Sequence, residues 1–290
     1  MSPQDETIGT LIDWGTGELR EAGIEFPGRE ARLLLAHLLR LDTGSMLLRD
    51  RSRPLQTLEI TGFRSSVGRR SNREPLAYIT GKQGFWTLDF MVSDATLIPR
   101  ADSETLIESL LASRPDRSAV ERMLDLGTGT GCLLLAALSE YPNAWGVGID
   151  VSPRACDLAL ANAIASGLDA RCAFLCGRWT DALAAEVRGF DVILSNPPYI
   201  PADDIAALMP EVRHFEPASA LDGGKDGLAA YRIIVSRLPA LLAAGGVAIL
   251  ELGTGQLDAV ESIAKAAGLA VASVRTDLGG TARAIALENP

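Results

Sequence analysis

From about residue 121 to its end, the chain alternates short apolar runs with helical patterns, and this alternation constrains the fold more than any other feature. The apolar runs, each typical of a buried strand, are Met123–Leu126, Trp145–Asp150, Cys172–Cys176, Phe190–Ser195, Gly246–Leu252, Val271–Arg275 and Ala282–Leu287. Helical patterns lie at Gly131–Leu138, Pro153–Ser166, Tyr231–Ala243 and Gln256–Ala267. The alternation predicts a Rossmann-like α/β fold with a doubly wound, mainly parallel seven-stranded sheet. Because only a short turn joins the last two strands, we expect the last strand to be antiparallel.

The residues before this region follow two other patterns. Residues 1–75 carry apolar residues at helical spacing and predict a small all-helical domain for substrate recognition, whose third helix should run from Pro54 to Gly68. Residues 76–98 are rich in aromatic and β-branched residues. They predict a β-hairpin connector with strands at Leu76–Thr80 and Phe85–Val92. Residues 99–290 then form the third predicted segment, the α/β domain, with Asp102 or Ser103 as a candidate helix cap.

A glycine-rich stretch, Gly127–Gly131, lies where the first strand of this sheet turns into a helix. Glycines there permit positive φ and close approach of the backbone to a ligand. The spacing is G-x-G-x-G, and Cys132 stands where a dinucleotide fingerprint places its third glycine. Asp150 ends the second strand, where a carboxylate can accept hydrogen bonds from the hydroxyls of a ribose. Trp179 follows the third strand; it is a candidate to border an adenine ring, or simply part of the core.

The segment Asn196-Pro197-Pro198-Tyr199 follows the fourth strand. Ligands in open α/β sheets bind just outside the carboxyl ends of the strands, which is where this segment should lie. Its prolines lack an N–H group and stiffen the turn, so the Asn196 amide and the Pro197 carbonyl remain available to a ligand. Taken alone, the segment is better explained as an ordinary turn at a strand end.

Composition narrows the classes of partner. The formal net charge of -10 argues against tight general binding to nucleic acid, and neither a secretory signal nor a membrane-spanning run is evident. The cysteines and histidines have no zinc-site spacing, so we expect reduced thiols and a cytoplasmic protein without a metal. One basic cluster stands out as a candidate docking surface or a solvated helical face: Arg49, Arg51, Arg53, Arg64, Arg69, Arg70 and Arg73.

Together, the glycine loop, Asp150 and the Asn-Pro-Pro-Tyr segment resemble the class I S-adenosylmethionine-dependent methyltransferases. The flanking sequences are similar to those of the peptide chain release factor glutamine methyltransferases. They are Leu97-Ile98-Pro99-Arg100-x-Asp102-Ser103-Glu104, Phe215-Glu216-Pro217, Gly224-x-Asp226-Gly227-Leu228 and Glu251-x-Gly253-x-x-Gln256. This resemblance covers residues 75–290 strongly, and the helical residues 1–75 fit the N-terminal domain of that family in kind.

The resemblance implies methyl transfer from S-adenosylmethionine to the side-chain amide nitrogen (N5) of the glutamine in a Gly-Gly-Gln loop of peptide chain release factors. The implied cofactor site comprises Gly127, Thr128, Gly129, Thr130, Gly131, Asp150, Trp179 and Asn196. The implied glutamine site comprises Asn196, Pro197, Pro198 and Tyr199, with catalytic roles for Asn196, Pro197 and Tyr199. Arg100 and Glu216 are expected to brace the surrounding loops. One departure is Arg178, where the family often has an acidic residue near the adenine.

Three alternatives remain at this point. The same Asn-Pro-Pro-Tyr geometry can serve a methyltransferase acting on adenine N6 or guanine N2 of a nucleic acid, although the acidic charge weighs against a duplex binder. A nicotinamide-dependent oxidoreductase is disfavoured by the G-x-G-x-G spacing, and a non-catalytic binding protein by the intact Asn-Pro-Pro-Tyr segment. We expect a monomer whose partners are release factors, with no stable nucleic-acid or membrane partner.

Overall fold

The computed structural model describes residues 6–184 and 186–290. These residues form two compact units. The helical unit contains the chain up to Gly81 together with Met209–Phe215. The sheet unit contains Lys82–Leu208 and Glu216–Pro290. A short segment far along the sequence therefore packs with the N-terminal helices, which the sequence patterns did not predict.

The helical unit is all-helical, as predicted. Its helices, numbered in chain order along the whole molecule, are α1 (Ile8–Glu21), α2 (Pro27–Leu38), α3 (Thr43–Leu47), α4 (Thr57–Ser71), α5 (Leu76–Thr80) and α9 (Pro210–Phe215). The core contains Leu11, Leu34, Leu35 and Phe63, which come from the apolar faces of α1, α2 and α4. Sequence periodicity located α1 and α2 because one face of each helix is buried.

One prediction for this region is confirmed except for its bounds, and one is wrong. The helix expected at Pro54–Gly68 forms, but it spans Thr57–Ser71. The run Leu76–Thr80, predicted as a strand, is a short helix whose Ala77 and Ile79 are buried. Strand propensity of aromatic and β-branched residues depends strongly on context, and packing against a helical core overrides it here.

Most arginines of the cluster are paired with acids. Each of six arginines forms an ion pair within the helical unit: Arg51 with Asp13, Arg53 with Glu59, Arg64 with Glu6, Arg69 with Glu74, Arg70 with Glu30, and Arg73 with Glu211. Arg70 is only 7% exposed and also contacts Glu211 at 3.0 Å. The acidic partners offset most of the positive charge of this cluster, which weakens its interpretation as an electrostatic docking surface.

The sheet unit begins with a small hairpin of two strands, β1 (Lys82–Phe85) and β2 (Leu88–Met91). The predicted strand Phe85–Val92 is thus interrupted by a turn at Trp86 and Thr87, and Trp86 has a φ of +55°. Phe85 and Phe90 are fully buried in the main core of this unit. The hairpin, predicted as a connector, is an integral part of the sheet unit.

The main sheet has seven strands, in agreement with the prediction. They are β3 (Arg122–Leu126), β4 (Trp145–Asp150), β5 (Cys172–Cys176), β6 (Phe190–Ser195), β7 (Leu242–Glu251), β8 (Ala270–Thr276) and β9 (Ala282–Glu288). Their order across the sheet is β5-β4-β3-β6-β7-β9-β8. The first five strands in this order are parallel, and β9 runs antiparallel to both β7 and β8. The antiparallel last strand is therefore confirmed.

Helices cover both faces of this sheet. They are α6 (Glu104–Ser113), α7 (Cys132–Glu140), α8 (Pro153–Ala165), α10 (Ala229–Leu241) and α11 (Leu257–Ala266). Successive residues of a strand point to opposite faces, and accordingly Met123 and Leu124 of β3 are both fully buried but belong to different core clusters. Burial on both faces explains why the parallel strands appear as continuous apolar runs in the sequence.

Candidate active site

A cavity of about 440 Å³ lies at the carboxyl ends of β3, β4 and β6. Parallel strands end together at one edge of the sheet, so loops that are distant in sequence meet there. The walls include most of the predicted site: Gly127, Thr128, Gly129, Thr130, Asp150, Trp179, Asn196 and Pro198. A cavity of this size and composition falls in the range of small-molecule sites.

The glycine loop connects β3 to α7. Gly127, Gly129 and Gly131 have φ values of +78°, +54° and +81°, a conformation that L-residues with a β-carbon rarely adopt. At Gly131 a β-carbon would also lie 3.2 Å from the β-carbon of Ala159 on α8. The glycines are therefore required by the backbone path, and the loop presents main chain to the cavity.

Asp150 holds this loop in place. Its Oδ2 accepts a hydrogen bond from the Gly129 N–H at 2.9 Å, and its Oδ1 accepts one from the Ser152 N–H at 2.9 Å. The carboxylate is half-buried and lines the cavity. The structure thus brings the acid at the end of the second sheet strand against the glycine loop, in the register expected from the sequence.

Trp179 completes this side of the cavity. Its φ is +52°, and a β-carbon built on Gly127 would lie 3.4 Å from its Cζ3 atom, so the indole packs against the glycine loop. The ring is half-buried and lines the cavity beside the exposed Arg178. Trp179 therefore presents an aromatic wall to a ligand; it is not confined to the core.

The segment after β6 forms the opposite wall. Asn196 and Pro198 line the cavity, Pro197 is buried between them, and the Tyr199 side chain turns toward the carboxylate of Glu251. The Asn196 Nδ2 group donates a hydrogen bond to Ser103 Oγ at 3.2 Å. Asn196 and Pro198 therefore form part of the cavity wall, whereas the Tyr199 side chain lies behind that wall.

Two residues at this wall carry structural roles that the sequence patterns did not define: Ser103, which also lines the cavity, and Glu251 behind it. Ser103 Oγ donates to Glu251 Oε2 at 2.5 Å, and the Tyr199 hydroxyl donates to Glu251 Oε1 at 3.2 Å. Ser103 was a candidate helix cap, but it makes no side-chain capping bond to α6. The only signal in the sequence was the similarity of the segments around Ser103 and Glu251 to one family.

Glu251 is 2% exposed, and burial raises its pKa to about 7, against the opposing effects of the Ser103 hydrogen bond and the Arg283 charge. Asp125, at 1% exposure, has its pKa raised to about 7 in the same way, although its Oδ2 accepts a hydrogen bond from Thr128 Oγ1 at 2.6 Å. Two carboxyl groups close to the cavity therefore titrate near neutral pH.

The loops around the cavity are braced as the sequence indicated for Arg100 and Glu216. Glu216 accepts hydrogen bonds from the Arg100 guanidinium and from the Ile98 N–H, the latter at 3.2 Å. Burial raises the pKa of Glu216, and the charge and hydrogen bond of Arg100 oppose that increase. These contacts join Pro217 and its neighbours to the segment Ile98–Arg100 on one rim of the cavity.

Asn162 is a bracing residue that sequence reasoning missed. It is 1% exposed on α8, and its Nδ2 donates to the Thr130 carbonyl at 2.9 Å and to the Met91 carbonyl at 3.1 Å. Its Oδ1 accepts from the Met91 N–H at 2.7 Å. One side chain therefore links the glycine loop to the hairpin, and no local pattern in the sequence indicates that link.

Within the described residues, no helix is both long and apolar enough to cross a membrane. The described structure thus contains a braced, partly enclosed site in which backbone, one carboxylate and one aromatic ring face an amide and a proline across the cavity. A loop of this kind suits a small polar ligand with an aromatic part. The wall around Asn196 offers an acceptor to a group with N–H donors.

Family profiles match both parts of the chain. The profile described as the PrmC N-terminal domain matches residues 10–81, and one described as a methyltransferase domain matches residues 118–234. Among solved structures, a methyltransferase from Pyrococcus furiosus has a TM-score of 0.53 at 18% identity and covers 76% of this chain and 97% of its own. That similarity supports the fold alone.

Curated relatives are similar over almost the whole chain. The release factor glutamine methyltransferase of Rhodospirillum rubrum is 46% identical over 278 residues, which are 96% of this chain and 84% of that protein. The protein of the same name from Geobacter sulfurreducens is 41% identical over 98% of this chain and 97% of its own length. The chain belongs to the release factor glutamine methyltransferase family.

Proposed function

We propose that this protein transfers a methyl group from S-adenosylmethionine to the side-chain amide nitrogen of the glutamine in the Gly-Gly-Gln motif of peptide chain release factors. The observation that carries the proposal is the orientation of Asn196 at the cavity. Its Nδ2 is engaged by Ser103, which leaves Oδ1 as an acceptor for a substrate N–H. The names of the relatives support the choice of release factors as substrate.

The residues present fit S-adenosylmethionine. A loop whose three glycines have positive φ leaves room for close approach of a ligand to the backbone. Asp150 would hold the ribose hydroxyls, Trp179 would border the adenine, and the main chain of Gly127–Gly131 would hold the amino-acid part. When bound, this cofactor supplies an electrophilic methyl group.

Amide nitrogens are poor nucleophiles because their lone pair is delocalised into the carbonyl group. Asn196 Oδ1 and the Pro197 main-chain carbonyl would each accept one N–H of the glutamine amide, which holds the nitrogen in line for the transfer. The same two oxygens favour positive charge that develops on the nitrogen during attack. Tyr199 would pack on the planar amide, and partial enclosure removes competing water. Positioning and desolvation thus supply the catalysis.

This geometry could also hold an exocyclic amino group of a nucleobase. The net charge of -10 disfavours a phosphate-binding surface, and the relatives that match nearly the whole chain carry the name of a release factor enzyme. We therefore propose release factors as partners, with the protein acting as a monomer and without a stable nucleic-acid partner. Membrane association has no role in this proposal, and we place the activity in the cytoplasm, where release factors work.

A label-transfer experiment tests the proposal. The protein is incubated with methyl-labelled S-adenosylmethionine and one of four acceptors: a release factor, the same factor with its Gly-Gly-Gln glutamine replaced by alanine, duplex DNA, or RNA. We expect label only in the unaltered release factor. Label in either nucleic acid, or equal labelling of the two release factors, would refute the proposed substrate.

A further inference from the structure

A chain of hydrogen bonds runs from the cavity wall into the core of the sheet unit. Asn196 donates from Nδ2 to Ser103 Oγ at 3.2 Å, Ser103 donates to Glu251 Oε2 at 2.5 Å, and Tyr199 donates to Glu251 Oε1 at 3.2 Å. Ser103 is 3% exposed and Glu251 is 2% exposed, so bulk water does not compete for these groups. Asn196 in the cavity wall and Tyr199 behind it therefore both depend on one buried carboxylate.

The direction of each bond follows from the number of protons available. An ionised carboxylate only accepts hydrogen bonds, so Ser103 must donate its single hydroxyl proton to Glu251. Ser103 Oγ then presents a lone pair to Asn196, which can satisfy it only with the NH₂ end of its amide. The Asn196 Oδ1 atom is consequently directed away from Ser103 and available to the cavity. Ionised Glu251 thus sets which end of the Asn196 amide faces a substrate.

Protonation of Glu251 would remove this constraint. A neutral carboxyl group carries a donor of its own, so Ser103 could turn its proton toward Asn196, and both orientations of the amide would become possible. Groups near the Glu251 side chain that influence its charge are Arg283, Asp102, Tyr199 and Ser103. Of these, Arg283 and the two hydrogen bonds favour the ionised form, whereas Asp102 and burial oppose it.

Two other titratable groups face Glu251. The Tyr231 hydroxyl donates to the Glu251 main-chain carbonyl at 2.7 Å. Cys132, on α7, lies close enough for the charge of Glu251 to raise the pKa of its thiol. Burial raises the pKa of both groups, so each stays neutral around neutral pH. The proton equilibrium of this cluster near neutral pH is therefore that of Glu251 itself.

We propose that Glu251 is a positioning residue that acts through Ser103 to hold the Asn196 amide with its oxygen toward the substrate. This inference rests on the proposed methyl transfer to an amide, because only a substrate with N–H donors needs that oxygen. The family resemblance pointed to the segments that contain Ser103 and Glu251 but gave neither residue a role.

Ser103→Ala tests the proposal, with Ser103→Thr as the conservative variant. Ser109→Ala is the matched control, because Ser109 is equally buried at 2% exposure but lies on α6 outside the cavity wall. We expect Ser103→Ala to lower kcat at about pH 8 by about tenfold or more while the dissociation constant for S-adenosylmethionine stays within about twofold. Ser103→Thr and Ser109→Ala should retain the kcat of the wild type.

The pH profile separates positioning from a merely structural role. Between about pH 8 and about pH 6, kcat of the wild type should fall by about twofold as Glu251 becomes protonated, because about half of the protonated molecules then hold the Asn196 amide in the unproductive orientation. The profile of Ser103→Ala should be flat over this interval, and Ser103→Thr should restore the slope. If Ser103→Ala keeps the kcat or the pH profile of the wild type, or if Ser103→Thr fails to restore them, the positioning role is refuted.

A second measurement needs no turnover and so separates this inference from the proposed function. The side-chain ¹⁵N–¹H amide signals of Asn196, assigned by their loss in Asn196→Asp, are followed through a pH titration of the free protein. We expect them to shift with a midpoint near about pH 7 in the wild type and to lose this shift in Ser103→Ala. Failure of glutamine methylation with this titration intact would refute only the proposed function. The absence of the titration in the wild type would refute the positioning role of Glu251.

Discussion

Replacing Glu251 by glutamine should change the pH dependence of folding stability in a defined direction. Glutamine keeps the shape of the side chain and its ability to accept from Ser103 or Tyr199, but it cannot ionise. Glu251 is 2% exposed, and its pKa is raised from 4.5 to about 7, with burial as the largest cause. In the wild type, ionisation of this group therefore opposes folding.

The sign and size of this change in unfolding free energy follow from proton linkage. Between about pH 4.5 and about pH 7 the folded protein binds more protons at Glu251 than the unfolded chain does, so stability falls as pH rises through this interval. One pKa unit corresponds to about 1.4 kcal/mol, which makes the total loss about 3 kcal/mol. Relative to the wild type, Glu251→Gln should gain about 3 kcal/mol between about pH 4 and about pH 8.

Urea unfolding of both proteins at a series of pH values measures this difference. Asp125, whose pKa is also raised to about 7, contributes equally to both proteins and cancels in the comparison. Any loss of hydrogen bonding in the variant adds a constant that does not change with pH. A difference in unfolding free energy that stays constant from about pH 4 to about pH 8 would refute the argument, as would one that changes in the opposite direction.

Two further predictions concern Asn196 in the cavity wall and Gly131 in the glycine loop. Asn196→Ala should lower kcat by about 10²–10³-fold and leave the dissociation constant for S-adenosylmethionine within about twofold, because the Asn196 side-chain oxygen acts on the acceptor amide. Steady-state kinetics and calorimetry measure the two quantities. A loss of cofactor affinity as large as the loss of kcat would contradict this role. Gly131→Ala, with φ at +81° and a β-carbon 3.2 Å from Ala159, should weaken cofactor binding by about tenfold and stability by more than about 1–2 kcal/mol. Gly268→Ala is its control, because Gly268 also has a φ of +81° but no atom lies within 4 Å of a β-carbon built there. This variant should lose only the stability that the unfavourable φ costs, and it should bind the cofactor as the wild type does.

The parts of the fold that sequence patterns predicted are those governed by burial. Strands β3, β4 and β6 were located because burial on both faces makes them continuous apolar runs, and turn length identified the antiparallel β9. The strand predicted at Leu76–Thr80 was wrong because Leu76 and Ile79 pack in the core of the helical unit. Local propensity cannot anticipate which surface a short segment will meet.

The same distinction applies to the site. The glycine loop, Asp150 and Asn196 could be located because each follows the end of a strand, and such ends converge in a parallel sheet. Ser103 and Glu251 could not be assigned roles, because their link joins residues that are far apart in sequence and depends on side-chain packing. Asn162 was missed for the same reason.

The most direct test of the central claim is the position of the methyl group on the product. A release factor is incubated with the protein and S-adenosylmethionine, digested, and sequenced by tandem mass spectrometry. The account predicts one methyl group on the side-chain nitrogen of the Gly-Gly-Gln glutamine, and none when Asn196→Ala replaces the wild type. A methyl group on another residue, or undiminished glutamine methylation by Asn196→Ala, would contradict it.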